Sequence, residues 1–192
     1  MNMPSKCALL LALTWSHLTL AQECQLTATQ NNVVYGKVDR RQRVEYTGSD
    51  ITLSGIVLPE RRITLTVDCT SPHYVRLFIN GISLPYKGRQ FFSFGQQGVM
   101  KVSAASALAD NRAAGLLLIN KGESRRKGNG DAQQKITPGA GIAFMQNTHE
   151  KAMTHLTVQL LVNPFIIGND LNPAETEMLS SDLRVSLDAQ PE

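Results

Sequence analysis

Cysteine and histidine are the side chains here with the most reactive chemistry, and the chain holds three of the first and four of the second. Cys24 and Cys69 stand 45 positions apart, and Cys7 lies near the start. Two thiols at such a distance pair, stay free or hold a metal. A structural zinc site asks for four cysteine or histidine ligands. Cys24 and Cys69 read as isolated cysteines with no histidine set beside them, a poor zinc site. His149 and His155 are six apart, which fits neither the i, i+4 pair of a metal-binding helix nor the i, i+2 pair of a strand. His73 is the third histidine outside residues 1–21. There is no Gly-x-Ser-x-Gly elbow, no phosphate loop and no dinucleotide fingerprint. Acidic residues occur singly, so no carboxylate pair suggests a hydrolase. The expectation is a non-enzymatic protein with no metal and no cofactor; a secreted hydrolase with sequence-distant catalytic groups is the weakest reading.

Which fate the thiols meet depends on compartment. Residues 1–21 begin with one cation, Lys6, and continue with an apolar run from Cys7 to Leu13 that carries on through Trp15, Leu18 and Leu20. Thr19 and Ala21 occupy the −3 and −1 positions of a cut after Ala21. This is a secretory signal pattern. A membrane anchor fits less well, because His17 and several hydroxyls interrupt the stretch. Cleavage would remove Cys7 and leave 171 of the 192 residues as a single domain, 22–192. The remaining two cysteines would meet an oxidising compartment where a disulfide persists. Closing so long a loop contributes on the order of 4 kcal/mol.

The formal charge of +3 loses one unit with Lys6. So small a balance, with Arg40-Arg41, Arg61-Arg62 and Arg125-Arg126 scattered, excludes the basic stripe of a nucleic-acid binder.

The elements that must position the sulfurs are strands. Apolar residues alternate at Ile63, Leu65 and Val67; at Val75, Leu77 and Ile79; at Leu156, Val158, Leu160 and Val162; and at Leu183, Val185 and Leu187. Gln25–Thr29 with Val33–Tyr35 reads as a broken first strand. Val99–Ala105, Leu116–Asn120 and Gly141–Met145 fit three more. Turns are expected at Thr70-Ser71-Pro72, Asn80-Gly81, Tyr86-Lys87-Gly88, Gly95–Gly98, Pro138-Gly139 and Asn163-Pro164. Ser103–Ala114 and Pro173–Leu179 could each hold a short helix. Lys121–Lys135 has almost no apolar surface and predicts a mobile loop. Many short strands with regular turns point to an all-β sandwich.

Several of these residues resemble the bacterial fimbrial subunits assembled by a chaperone and an usher, including fimbrial-like proteins of undefined role. Val33, Tyr35, Gly36 and Val38 match a segment that follows the first cysteine in that class. Leu65, Thr66, Val67 and Cys69 match the strand that carries the second. The strand at 156–162 and the last strand at 183–187 agree in outline. The resemblance implies an immunoglobulin-like β-sandwich that lacks its last strand and keeps one disulfide, Cys24–Cys69. It implies a groove bordered by the first and final strands, with Leu183, Val185 and Leu187 on its inner face. A periplasmic chaperone would fill that groove first. A neighbouring fimbrial subunit would replace it after passage through an outer-membrane usher. The product would leave the periplasm for a fimbrium on the cell surface and serve cell adhesion, with a host or surface receptor as a further partner. Only Gln22 and Glu23 would precede Cys24 after cleavage, whereas a donor strand that spans such a groove needs about ten residues at ~3.3 Å each. The chain would therefore accept a strand without donating one, as a tip component does. Pro191 stands where the class often has a tyrosine, and Met178–Ser181 has no glycine where the class often carries one.

The alternative is a self-complete, secreted carbohydrate-binding sandwich. Such a module wants aromatic platforms, and the single tryptophan, Trp15, lies in the leader. Phe91, Phe92 and Phe94 form the densest aromatic cluster, either as a ligand surface or as a buried strand end.

Overall fold

The alternation of apolar side chains is what the backbone follows. A computed structural model describes residues 23–35, 43–47, 52–95, 98–167 and 181–192, and every regular element among them is a β-strand. The strands are β1 (Cys24–Ala28), β2 (Arg43–Thr47), β3 (Thr52–Val57), β4 (Arg61–Asn80), β5 (Ser83–Tyr86), β6 (Arg89–Phe94), β7 (Gly98–Ala109), β8 (Arg112–Ile119), β9 (Gln133–Ile136), β10 (Gly141–Gln146), β11 (His149–Glu150), β12 (Met153–Ile167) and β13 (Arg184–Pro191). Residues 1–21 and 173–179 lie outside the described residues, as do Gly36 and Val38.

The 20-residue β4 organises the chain. A strand residue has one partner on each edge, so double pairings reveal which neighbours share an edge. Val67 pairs Leu26 of β1 and Leu156 of β12. His73 pairs Met153 of β12 and Pro191 of β13. Arg76 pairs Ala143 of β10 and Asp188 of β13. One edge of β4 therefore takes β12 and then β10. The other takes β1 and then β13, end to end. Pairing continues from β12 to β7, from β7 to β8 and from β8 to β10, so five strands close a ring that returns to β4. Inside it lie Leu65, Val67, Leu77, Ile79, Val102, Leu116, Ile142, Phe144, Leu156 and Leu160, each at most 3% exposed. The ring and its all-β content are the architecture; the Cys24–Cys69 disulfide clamps β1 to β4.

Three expected turns are absent. Thr70-Ser71-Pro72 does not end a strand: β4 runs through it, and β12 skips from Asp68 to His73 across those residues in a bulge. Pro72 thus sits where the ladder requires no amide hydrogen from it. Pro164 likewise stays within β12. Its carbonyl accepts from Leu58 N, so its edge faces the gap between β3 and β4, where a missing N–H costs nothing. Asn80-Gly81 makes no hairpin, since β5 pairs β6 rather than β4. Gly81 is needed for closeness: a Cβ there would lie 2.8 Å from the Phe92 ring.

Ser103–Ala114 is no helix. It is most of a β7–β8 hairpin whose two-residue turn, Asp110-Asn111, takes φ of 47° and 63°. Asp and Asn tolerate that left-handed conformation, and the turn type matches the twist of the flanking strands. Lys87-Gly88 makes the same turn between β5 and β6, as the sequence predicts.

The polar segment 121–135 is pinned rather than loose. Leu116 and Asp131 exchange both backbone hydrogen bonds, at 2.8 and 2.9 Å. β9 pairs β7, and Ile136 is buried. Arg76 Nη1 donates to the Glu123 carbonyl at 2.6 Å, and Arg126 N donates to Glu150 Oε1 at 3.0 Å. Arg125 lies 3.5 Å over the Tyr74 ring. The segment has little apolar surface of its own; order comes from charged partners on the sheet face it crosses.

Candidate functional site: an open edge and a sulfur–histidine corner

The final strand presents its inner row to the core without fully covering it. Val185, Leu187 and Ala189 alternate along β13, and Leu183 immediately precedes it. All four are half-buried and pack against the main core, as does Leu26 of β1. The expected residues Leu183, Val185 and Leu187 thus share one face. One edge of β13 is taken by β4 over the full run Arg184–Pro191. Among the described residues no strand pairs its other edge, and β1 too pairs only β4. An edge of this kind offers a row of backbone donors and acceptors to a further strand.

β1 and β13 meet at a corner built on β4. Thr70 N donates to the Glu23 carbonyl at 2.9 Å, and Glu192 N to the Pro72 carbonyl at 3.3 Å. Between them His73 is 1% exposed. Its Nδ1 lies 2.7 Å from the Ser71 carbonyl and its Nε2 2.8 Å from Glu23 Oε2. Both ring nitrogens face acceptors, so the charged imidazolium satisfies both at once. The Ser71 carbonyl first and the Glu23 carboxylate second hold the His73 pKa above its ordinary value, against the opposing effect of burial. Ligand-type atoms of Cys24, Cys69 and His73 all lie within 4.8 Å of one another.

The sequence reading of a cysteine pair without a nearby histidine is thereby corrected. The bulge at 69–72 turns β4 so that a residue four positions after Cys69 returns beside the sulfurs. The spacing Cys69-x-x-x-His73 was visible; the bulge that makes it productive was not, because Pro72 reads as a turn.

Phe91, Phe92 and Phe94 are 2%, 1% and 5% exposed. Phe91 packs with Val99 and Phe165, and the other two enter the main core. None offers a ring face to a ligand. Tyr35, from the segment after the first cysteine, stands edge-on to Phe94 with centroids 5.9 Å apart and carries Arg61 5.5 Å over its ring. Burial pushes its phenol pKa up, partly offset by Arg61. His155 pairs Asp68, next to Cys69, without joining the donor group, and its Nδ1 meets Asp68 Oδ1 at 2.6 Å.

No known family model matches the chain. Over 128 residues, 67% of its length, the chain is 26% identical to YhcE of Escherichia coli strain K12, a protein described as uncharacterized. The match spans 66% of that relative, just under two thirds of its length. This similarity names no activity, ligand or partner.

Proposed function

We propose that the protein is a fimbrial or fimbrial-like surface subunit whose immunoglobulin-like sandwich is completed by a strand from another molecule. One observation carries the reading. β13 is paired on one edge only among the described residues, while its inner row Leu183, Val185, Leu187 and Ala189 is only half-covered on the core. An added strand would supply both missing elements: backbone hydrogen bonds along β13 and alternate apolar side chains over that row. The Cys24–Cys69 bond supports the reading too, because it fixes β1 on the same edge of β4 and so frames the acceptor from its other end.

On this reading the protein is exported, meets a periplasmic chaperone and an outer-membrane usher, and serves adhesion through its place in a fibre. The experiment is periplasmic expression with and without a cognate chaperone, followed by thermal melts with donor-strand peptides of alternating apolar pattern. A bound strand must raise the melting temperature, since it binds the folded state alone. A stable monomer that survives without a chaperone and shows no shift with any such peptide would remove the proposal.

A further inference from the structure

We propose that Cys24, Cys69, His73 and Glu23 form a redox-gated site for one divalent transition-metal ion, with zinc as the natural occupant, available whenever the disulfide is open. Three of the donors are already gathered, and the fourth touches one of them. The sulfurs and the histidine ring lie within 4.8 Å of one another, and the Glu23 carboxylate lies 2.8 Å from His73 Nε2. Cys24 and Cys69 are direct cross-strand partners, and the β1–β4 ladder continues from them through Leu26–Val67 to Ala28–Leu65. Opening the disulfide therefore leaves both thiols opposite each other on a hydrogen-bonded scaffold.

The second shell is also present. His73 Nδ1 meets the Ser71 carbonyl at 2.7 Å. Metal-bound histidines commonly donate their other N–H to a carbonyl in this way, which fixes the tautomer and aims the free lone pair. With Nδ1–H held there, Nε2 is the metal-facing nitrogen. Glu23, now on Nε2, is placed to become the fourth ligand. Two thiolates, one imidazole and one carboxylate make a four-coordinate set suited to zinc. Cys24 and His73 are 4% and 1% exposed, whereas Glu23 reaches in from the solvent side with its side chain 68% exposed.

The chemistry balances. A dithiol reductant passes two electrons and two protons to the Cys24–Cys69 bond and closes to its own disulfide. The ion then binds with loss of one proton from each thiol and of one from the imidazolium. The disulfide and the metal therefore compete for the same sulfurs: oxidised protein holds no ion, and metal-loaded protein resists oxidation.

Cobalt(II) is the probe, because tetrahedral thiolate coordination gives visible ligand-field bands and a near-ultraviolet thiolate charge-transfer band. A Cys7→Ser background removes the third cysteine. Protein reduced with a dithiol, freed of reductant without air and checked for retained β-structure should bind one equivalent of cobalt, which zinc displaces. The oxidised protein should give neither band. Glu23→Gln, which removes the anionic fourth ligand, should weaken binding measurably. His73→Gln, which keeps a polar side chain, should abolish the tetrahedral spectrum. Unchanged spectra in His73→Gln, equal binding by the oxidised protein, or binding by the reduced chain only after β-structure is lost would each overturn the proposal.

Discussion

Arg76 and Glu150 face each other through two parallel hydrogen bonds, Nε to Oε2 at 2.9 Å and Nη2 to Oε1 at 2.7 Å, with side chains only 6% and 4% exposed. The pair sits on the outer face of β4, where Tyr74 and Phe78 flank Arg76, and the segment after β8 closes over it. Glu150 raises the Arg76 pKa further, so the guanidinium stays charged inside the fold. Glu150 Oε1 also accepts from Arg126 N, and Arg76 also serves the Glu123 carbonyl. A planar fork and a carboxylate thus fasten a polar strap to a sheet.

Glu150→Ala should therefore be severely destabilising. It leaves a buried guanidinium without its counter-ion, a loss of about 3–5 kcal/mol. The double replacement Arg76→Met with Glu150→Leu should recover most of that, because no charge remains buried. Urea midpoints of the three proteins check this. Equal loss in the single and double variants would show that the contribution is packing rather than charge. Hydrogen exchange at 121–131 should rise in Glu150→Ala.

The strap also depends on a backbone crossing. A Cβ on Gly130 would fall on the Gly115 carbonyl carbon, and one on Gly115 would lie 2.7 Å from Gly130 Cα. Both neighbours are main chain, held by the Leu116–Asp131 hydrogen bonds, so neither yields cheaply. Gly130→Ala and Gly115→Ala should each cost about 1–3 kcal/mol by overpacking. Thermal melts measure it; an unchanged melting temperature would mean the strap can lift away.

Much of this architecture was legible in the chain. Alternation placed β12, β13 and both halves of β4, and the two cysteines announced their bond; of the broken first strand only β1 forms, and Val33–Tyr35 is no strand. What alternation could not show is where a strand continues through proline. Pro72 and Pro164 read as breaks, yet each sits where the ladder asks nothing of its nitrogen, and that depends on partners distant in sequence. Ala104, Ala107, Ala109 and Ala114 gave a helical impression for a related reason. Alanine has strong helix propensity, but here those four fill tight space between paired strands, all buried. The candidate site divides the same way. Leu183, Val185 and Leu187 share a face as their spacing requires. His73 joined the sulfurs only through the bulge, and Glu23 meets that histidine rather than the sulfurs.

Phe92 offers a prediction that separates packing from recognition. It is 1% exposed and its ring abuts Gly81. Phe92→Ala should cost about 3–5 kcal/mol through the cavity it leaves. A variant of undiminished stability that had lost a carbohydrate ligand would instead support a binding platform. Differential unfolding beside a glycan-binding screen distinguishes the two.

Asp110 sets an acid limit on the β7–β8 hairpin. Its Oδ1 accepts from Thr154 N at 3.0 Å, Thr154 Oγ1 at 3.0 Å and His155 N at 2.9 Å. Burial alone would push the carboxyl pKa up, but these hydrogen bonds and the nearby His155 hold it below the ordinary value of 3.8. A depressed carboxylate stabilises the fold most above its unfolded pKa, and the gain is lost as pH falls through the lower, folded one. Asp110→Asn keeps an oxygen acceptor and removes the charge. The native protein should be the more stable of the two near neutral pH, and the gap should close as pH falls below the usual aspartate range. Denaturant midpoints measured from neutral to strongly acidic pH give the curve; a gap of constant size across that span would assign Asp110 a purely geometric role.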